Sequence, residues 1–372
     1  VSTGVAARPR AAFDHAEPLT VGMEEEYMLL RPGTWDLLPR ADAVLRRLQG
    51  DRRFQAEMPA AQLEAVTPPV QTVPAAAAAL REARGALADA AGGIGVLASG
   101  GVHPFAAGEG ALTRGPRYEA IASEYAWAAR RQLAFGLHVH VAVAGADVAL
   151  GVYNALREHL PALAALGAGA PFHEGADSGL ASMRPKICDL LPRQGVPPVM
   201  PTWDALEAAW RWGAATGTFS ATDGWWWELR LHPRYGTVEV RVPDAQATTA
   251  DASALAAVVH ALVATLADRA AAGTLPEPAE SWRIAENRWS ACRHGVRGRW
   301  SDVRTGEVRD TADVLGDLLD DLAPAAARLG CAAELQSARD LVLHPRDALI
   351  REVAAEGGAR AVAAWLADRF LG

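Results

Sequence analysis

Cysteine is scarce in this 372-residue chain, and its three copies, Cys188, Cys292 and Cys331, lie far apart with no Cys-x-x-Cys pair. That spacing excludes a disulfide framework and a zinc knuckle, and it reads as buried or free thiols in a reducing cytoplasm. Basic residues are in deficit: 36 Lys and Arg stand against 44 Asp and Glu, a net charge of -8. No broad basic surface is offered to nucleic acid, so an anionic ligand would be met by local arginines or bound cations. No uninterrupted apolar run approaches the roughly 18 residues that cross a bilayer, which argues against a membrane partner. Nucleotide-binding glycine loops are missing as well. Neither Gly-x4-Gly-Lys-Ser/Thr nor a Gly-x-Gly-x-x-Gly after a strand occurs, although Gly92 to Gly101 is glycine-rich.

What is present is ordinary globular material, 50% apolar and 22% charged, enough for a large core. The first 18 residues read as a loose tail and residues 19–372 as a single domain, with no low-complexity linker to split it. Strands are expected at Leu19–Leu30, Ile94–Ser99 and Ala134–Val143, an interrupted extended stretch at Phe54–Thr67, and a hairpin over Trp225–Val242. Helices are expected at Asp42–Leu48, after Pro74, at Tyr118–Leu133, at Val148–Leu166 with a break at Pro161, and at Trp203–Phe219. Gly169–Pro201 lacks periodicity and reads as an active-site loop. After Thr248 the chain reads as almost wholly helical. Strands without regular βαβ spacing, followed by helices, predict an α+β fold with a largely antiparallel sheet and a helical C-terminal third.

Three of these strands share one device. In an extended chain alternate side chains share a face. Glu24 and Glu26 therefore align, as do His138 and His140, and as do Thr237, Glu239 and Arg241. Paired carboxylates suit a hard divalent cation; a solvated strand is the plain alternative. Two histidines on an apolar strand can bind a metal or contact phosphate, or can be satisfied core residues. Glu239 beside Arg241 could be a cross-strand ion pair, but Arg230 on the hairpin partner adds a second guanidinium, which suits phosphate plus metal. Glu57 and Glu64 share a face only if the chain turns at Pro59. His103, between glycines and Pro104, reads as a turn-setting residue, and Trp282 to Arg293 as an ordinary amphipathic helix.

Taken in order, Gly22-Met23-Glu24-Glu25-Glu26, Leu63-Glu64-Ala65-Val66-Thr67, Gly136-Leu137-His138-Val139-His140, Ala181-Ser182-Met183-Arg184-Pro185, Trp227-Glu228-Leu229-Arg230, Gly236-Thr237-Val238-Glu239-Val240-Arg241 and Glu286-Asn287-Arg288-Trp289 resemble the carboxylate–amine ligases of the bacterial glutamate–cysteine ligase type 2 family. The resemblance covers about residues 16 to 370. It implies a curved antiparallel sheet of the glutamine synthetase and guanido kinase type, binding ATP and two or three Mg2+ ions, with Mn2+ as an alternative. It also implies metal ligands Glu24, Glu26, Glu57, Glu64, His138 and Glu239, and phosphate contacts from Arg230 and Arg241 beside Thr237. Arg184 is implied as a substrate or phosphate contact on a mobile loop. The implied reaction activates a carboxylate, glutamate in the prototype, as an acyl phosphate and passes it to an amine, cysteine in the prototype. Small-molecule partners and a homodimer are further family expectations. Leu137, Ala142 and Ala60-Ala61 depart from the family pattern on the substrate side. Rival readings from the residues are a metal-dependent hydrolase using His138 and His140, a guanidino-kinase-like phosphotransferase, and a non-catalytic binding protein.

Overall fold

The computed structural model describes residues 9–372. A short helix, α1 (Pro9–Asp14), precedes the long strand β1 (Val21–Leu30), followed by α2 (Ala41–Arg47), β2 (Phe54–Ala56) and β3 (Gln62–Val66). Helix α3 (Val73–Ala91) starts at Thr72, whose hydroxyl accepts from Ala75 N, with Pro74 in the first turn. Then come β4 (Val96–Ala98), α4 (Pro116–Arg130), β5 (Leu137–Ala142), α5 (Ala146–Leu156) and α6 (Leu160–Gly167). The segment expected to be irregular carries a small hairpin, β6 (Phe172–His173) with β7 (Ala176–Asp177), and a five-residue helix, α7 (Arg184–Cys188). Helix α8 (Trp203–Thr216) leads to β8 (Leu229–His232) and β9 (Thr237–Val240), which turn over Pro233 to Gly236. The C-terminal third holds α9 (Thr249–Ala271), α10 (Ser281–His294), α11 (Thr311–Arg328), α12 (Ala332–Leu343) and α13 (Arg346–Asp368). One more hairpin, β10 (Arg299–Ser301) with β11 (Val308–Asp310), interrupts this otherwise helical stretch.

The seven-stranded sheet runs β2-β3-β1-β5-β9-β8, with β4 also paired to β1, and every pairing is antiparallel. Strand β1 is the spine. One edge takes β3; the other takes β5 along Val21–Glu25 and β4 along Met28–Leu30. One face, made by Met23, Tyr27, Leu137, Val139, Val141, Leu229, Leu231, Val238 and Val240, is buried. Helices α3, α5 and α9 pack on this side. Helix α9 is long and apolar enough to cross a membrane by composition alone, yet most of it is buried in this core.

Several expectations need correction. Residues 1–8 of the expected tail lie outside the described residues. Its remainder is not loose: Phe13 is fully buried, edge-on to Trp203 at 5.2 Å. The break in the helix near Pro161 falls one turn earlier, at Arg157–His159, and Pro161 opens α6. Proline is tolerated in a first turn, where its missing N–H has no helical partner anyway. The Trp225-Trp226-Trp227 run precedes β8 instead of forming it, and only Trp225 is buried.

Candidate active site

Register places the polar side chains of five strands on one face. Glu26 sits opposite Glu64, Glu24 opposite His138, His140 opposite Glu239, and Glu239 opposite Arg230. Alternation along each strand sends their neighbours into the helical core. Glu57 joins this face because the chain turns between β2 and β3, with Pro59 in a bridge to Leu112. That is the turn its spacing from Glu64 required.

Glu24, His138 and Glu239 each offer a ligand atom, all within 4.8 Å of one another. His140 Nδ1 pairs with Thr237 Oγ1 at 3.0 Å, leaving Nε2 3.3 Å from Glu24 Oε1. That nitrogen is buried and makes no hydrogen bond among the described residues. Glu239 is fully buried and gripped by Arg230 Nε on one oxygen and Arg241 on the other. Although burial opposes ionisation, the two guanidiniums and His140 hold its carboxyl below the usual range. His138 is pushed down to about 4 by burial first and Arg241 second, which favours the neutral imidazole that metal ligation requires.

Glu26, Glu57 and Glu64 behave in the opposite way. Burial raises all three. Repulsion from Glu57 adds to it for Glu26, which reaches about 7, and repulsion from Glu57, Glu24 and Glu26 adds for Glu64. Buried like charges of this kind need protons or a cation. A hard cation with oxygen ligands fits this donor set, in which carboxylates outnumber imidazoles.

Two cavities flank the row. The smaller, about 130 Å3, lies over Glu26, Glu57, Gln62, His138, Arg184 and Arg241. The larger, about 600 Å3, is lined by Met23, Val66, Val70, His140, Tyr235 and Thr237, with Arg234 also on its wall. Tyr235 stacks on His232 at 4.3 Å, giving that cavity an aromatic wall. Arg184 is not an arm on a mobile loop. It is buried, and its guanidinium donates to the carbonyls of Val242 at 3.0 Å and Arg241 at 3.1 Å. Gly136 is required beneath it: a Cβ there would come within 2.2 Å of Arg184 Nη2. Of its three guanidinium nitrogens, Nε has no hydrogen-bond partner among the described residues.

His103 does set a turn, Nδ1 accepting from Phe105 N and Ala106 N while Nε2 donates to Trp35 O. Residue-by-residue reading missed Glu228 and Arg288, which pair at 2.7 Å behind the small cavity. It also missed Glu25, whose carboxylate faces the core and meets Arg84 at 2.7 Å with both side chains fully buried. The signal was there: Leu80, Arg84 and Leu87 fall at helical spacing on one face of α3.

The sequence profile of glutamate-cysteine ligase family 2 matches residues 20–364. A Rubrobacter xylanophilus protein named "Putative glutamate--cysteine ligase 2-3" is 37% identical over 366 residues, 96% of this chain and 98% of that protein. A Thermobifida fusca protein named "Putative glutamate--cysteine ligase 2" is 33% identical over 339 residues, 89% of this chain and 85% of that protein. Among solved structures, a Francisella tularensis glutamate–cysteine ligase in complex with AMP superposes with a TM-score of 0.69 at 13% identity. The match covers 96% of this chain and 89% of that one. A Pasteurella multocida bifunctional glutathione synthetase gives 0.62 at 14%, over 95% and 51%. At those identities the likeness is one of fold. Sheet, site and relatives together define an enzyme, a carboxylate–amine ligase. The chain belongs to glutamate-cysteine ligase family 2. These relatives lend no support to the hydrolase reading.

Proposed function

We propose that the protein joins the γ-carboxylate of glutamate, or a closely similar acid, to an amine, using ATP with two or three Mg2+ ions or Mn2+ in their place. The observation that carries this reading is the row of Glu24, His138 and Glu239, flanked by Arg230 and Arg241 and set between two cavities. The larger cavity, with apolar walls and an aromatic edge, suits a nucleoside. The smaller, charged one suits the acid. The γ-phosphate of the nucleotide would then lie over the row that separates the two cavities.

A carboxylate is a poor acyl donor. Its oxygen attacks the γ-phosphorus of ATP, ADP leaves, and the acyl phosphate is then open to an amine, with phosphate as the second leaving group. Arg230 and Arg241 use some N–H groups on Glu239 and keep others for the oxygens that gain charge. Glu24, Glu26, Glu57, Glu64, His138 and Glu239 would hold the cations, which neutralise phosphate charge when bound. Thr237 keeps His140 oriented. Arg184 is fixed by the sheet backbone, so its Nε can meet a carboxylate at a set place. Three free thiols suit a reducing cytoplasm.

Phosphate release from ATP and Mg2+ with glutamate, scanned over an amine panel that includes cysteine, tests this reading. Amine-dependent release with a matching amide mass supports it. No release with any acid and amine, together with no nucleotide binding, overturns it.

A further inference from the structure

A second cleft, of about 280 Å3, opens beside the small cavity, lined by Asp189, Val196, Trp282 and Arg288 among others. Gln194 lines both spaces. At their junction Glu228 lines the small cavity. Its Oε1 is held by Arg288 Nε at 2.7 Å, and its backbone N–H donates to Gly195 O at 3.1 Å. Its Oε2 is buried with no hydrogen-bond partner among the described residues. Buried carboxylate oxygens are seldom left unmet, because the desolvation cost is then uncompensated.

The charges around Glu228 narrow what would meet it. Arg288 spans Glu228 and Asp189, and Lys186 binds Asp189 at 2.6 Å, so both cations are already matched by carboxylates. The cleft therefore offers no free cation and an apolar wall from Val196 and the exposed Trp282, and the acceptor, Glu228, stands in the small cavity beyond it. Elsewhere in the small cavity Arg184 Nε is a buried donor with no partner among the described residues, which suits the acid.

We propose that the amine reaches the cavity through this cleft, that Glu228 Oε2 accepts the hydrogen bonds of its nitrogen, and that it is a primary amine needing no carboxylate of its own. This rests on the ligase reading. The amine nitrogen forms the C–N bond to the acyl carbon while the C–O bond to phosphate breaks and its electron pair leaves with phosphate. Of the two protons an ammonium must lose, one goes to the departing phosphate and one to water. Glu228 holds the nitrogen in line with the carbonyl throughout.

The test uses the full chain with ATP, Mg2+ and glutamate, and compares cysteine with cysteamine, which differ only in the carboxylate. kcat/KM for cysteamine should equal or exceed that for cysteine; a tenfold preference for cysteine overturns the substrate class. Ala285→Trp, at an exposed cleft position, should raise the amine KM at least fivefold, and Glu228→Gln at least tenfold. In both, amine-independent scrambling of 18O in the β,γ bridge of ATP should fall far less than amide formation. Equal losses in the two readouts, or an unchanged amine KM, overturn the route. Absence of scrambling in the unsubstituted protein overturns the ligase reading itself, and this proposal with it.

Discussion

Glu24, Glu25 and Glu26 are consecutive and chemically identical, yet the two faces of the sheet treat them in opposite ways. On the core face Glu25 is completed: Arg84, the Tyr27 hydroxyl and Gln246 N all donate to it, and Arg84 reaches further to the carbonyls of Gln246, Ala247 and Phe370. On the site face the half-buried Glu26 and Glu57 share a patch with the buried Glu64, and among the described residues none of the three forms an ion pair with Lys or Arg. A completed charge ties elements together. An incomplete set stores demand for a ligand, and stability is given up to keep it.

The sharpest way to break this contrast is Glu64→Gln. The neutral isostere removes a buried carboxylate that its neighbours repel. Amide formation should fall at least a hundredfold, while the melting temperature without divalent cations rises by several degrees; calorimetry and the phosphate assay check the two halves. A melting temperature that falls would show that the site face is not under strain. On the core face the sign reverses. Arg84→Met leaves Glu25 buried without a countercharge, and chemical denaturation should report a loss of about 3–5 kcal/mol, with KM for ATP unchanged in the protein that remains folded.

A third effect is set by pH. His103 has a partner on each ring nitrogen, and burial pushes it down to about 4 from an ordinary 6.5. Its folded value lies below its unfolded one, so its contribution is complete above pH 6.5 and is lost as pH falls toward 4. The stability difference between the protein and His103→Gln should be largest near pH 7.5 and shrink by on the order of 3 kcal/mol by pH 4. A difference that stays flat across melts in this range would mean that His103 is not held neutral by the fold.

Much of the site is legible in the sequence because a strand writes its faces with period two. Alternation alone puts Glu24 with Glu26, His138 with His140 and Glu239 with Arg241 on one face, and the odd spacing of Glu57 from Glu64 demands the turn at Pro59. The expectation of an almost wholly helical stretch after Thr248 also holds, with α13 broken at the glycine pair Gly357 and Gly358. What failed lacked a period. Strands β10 and β11 have three residues each, too few for alternation to register. The locking of Arg184 depends on the carbonyls of Arg241 and Val242, far along the chain, and on the bare backbone of Gly136. Glu228 lies in Trp227-Glu228-Leu229-Arg230, one of the stretches that carry the resemblance, but its pairing depends on Arg288, on a helix whose sequence reads only as amphipathic.

The small helix at the start of the described chain has a practical bearing. Phe13 O accepts from Gly145 N, Asp14 caps Ala146 N, and Arg10 pairs with Asp147, so α1 is bolted to the beginning of α5. It also presses on the β8–β9 turn, where a Cβ at Gly236 would come within 2.3 Å of Ala12 O. That turn carries Arg234 and Tyr235 into the larger cavity. Trimming the protein back to Leu19, a natural choice for anyone who takes the leader for padding, would remove the brace behind that wall and should cost nucleotide affinity before it costs solubility.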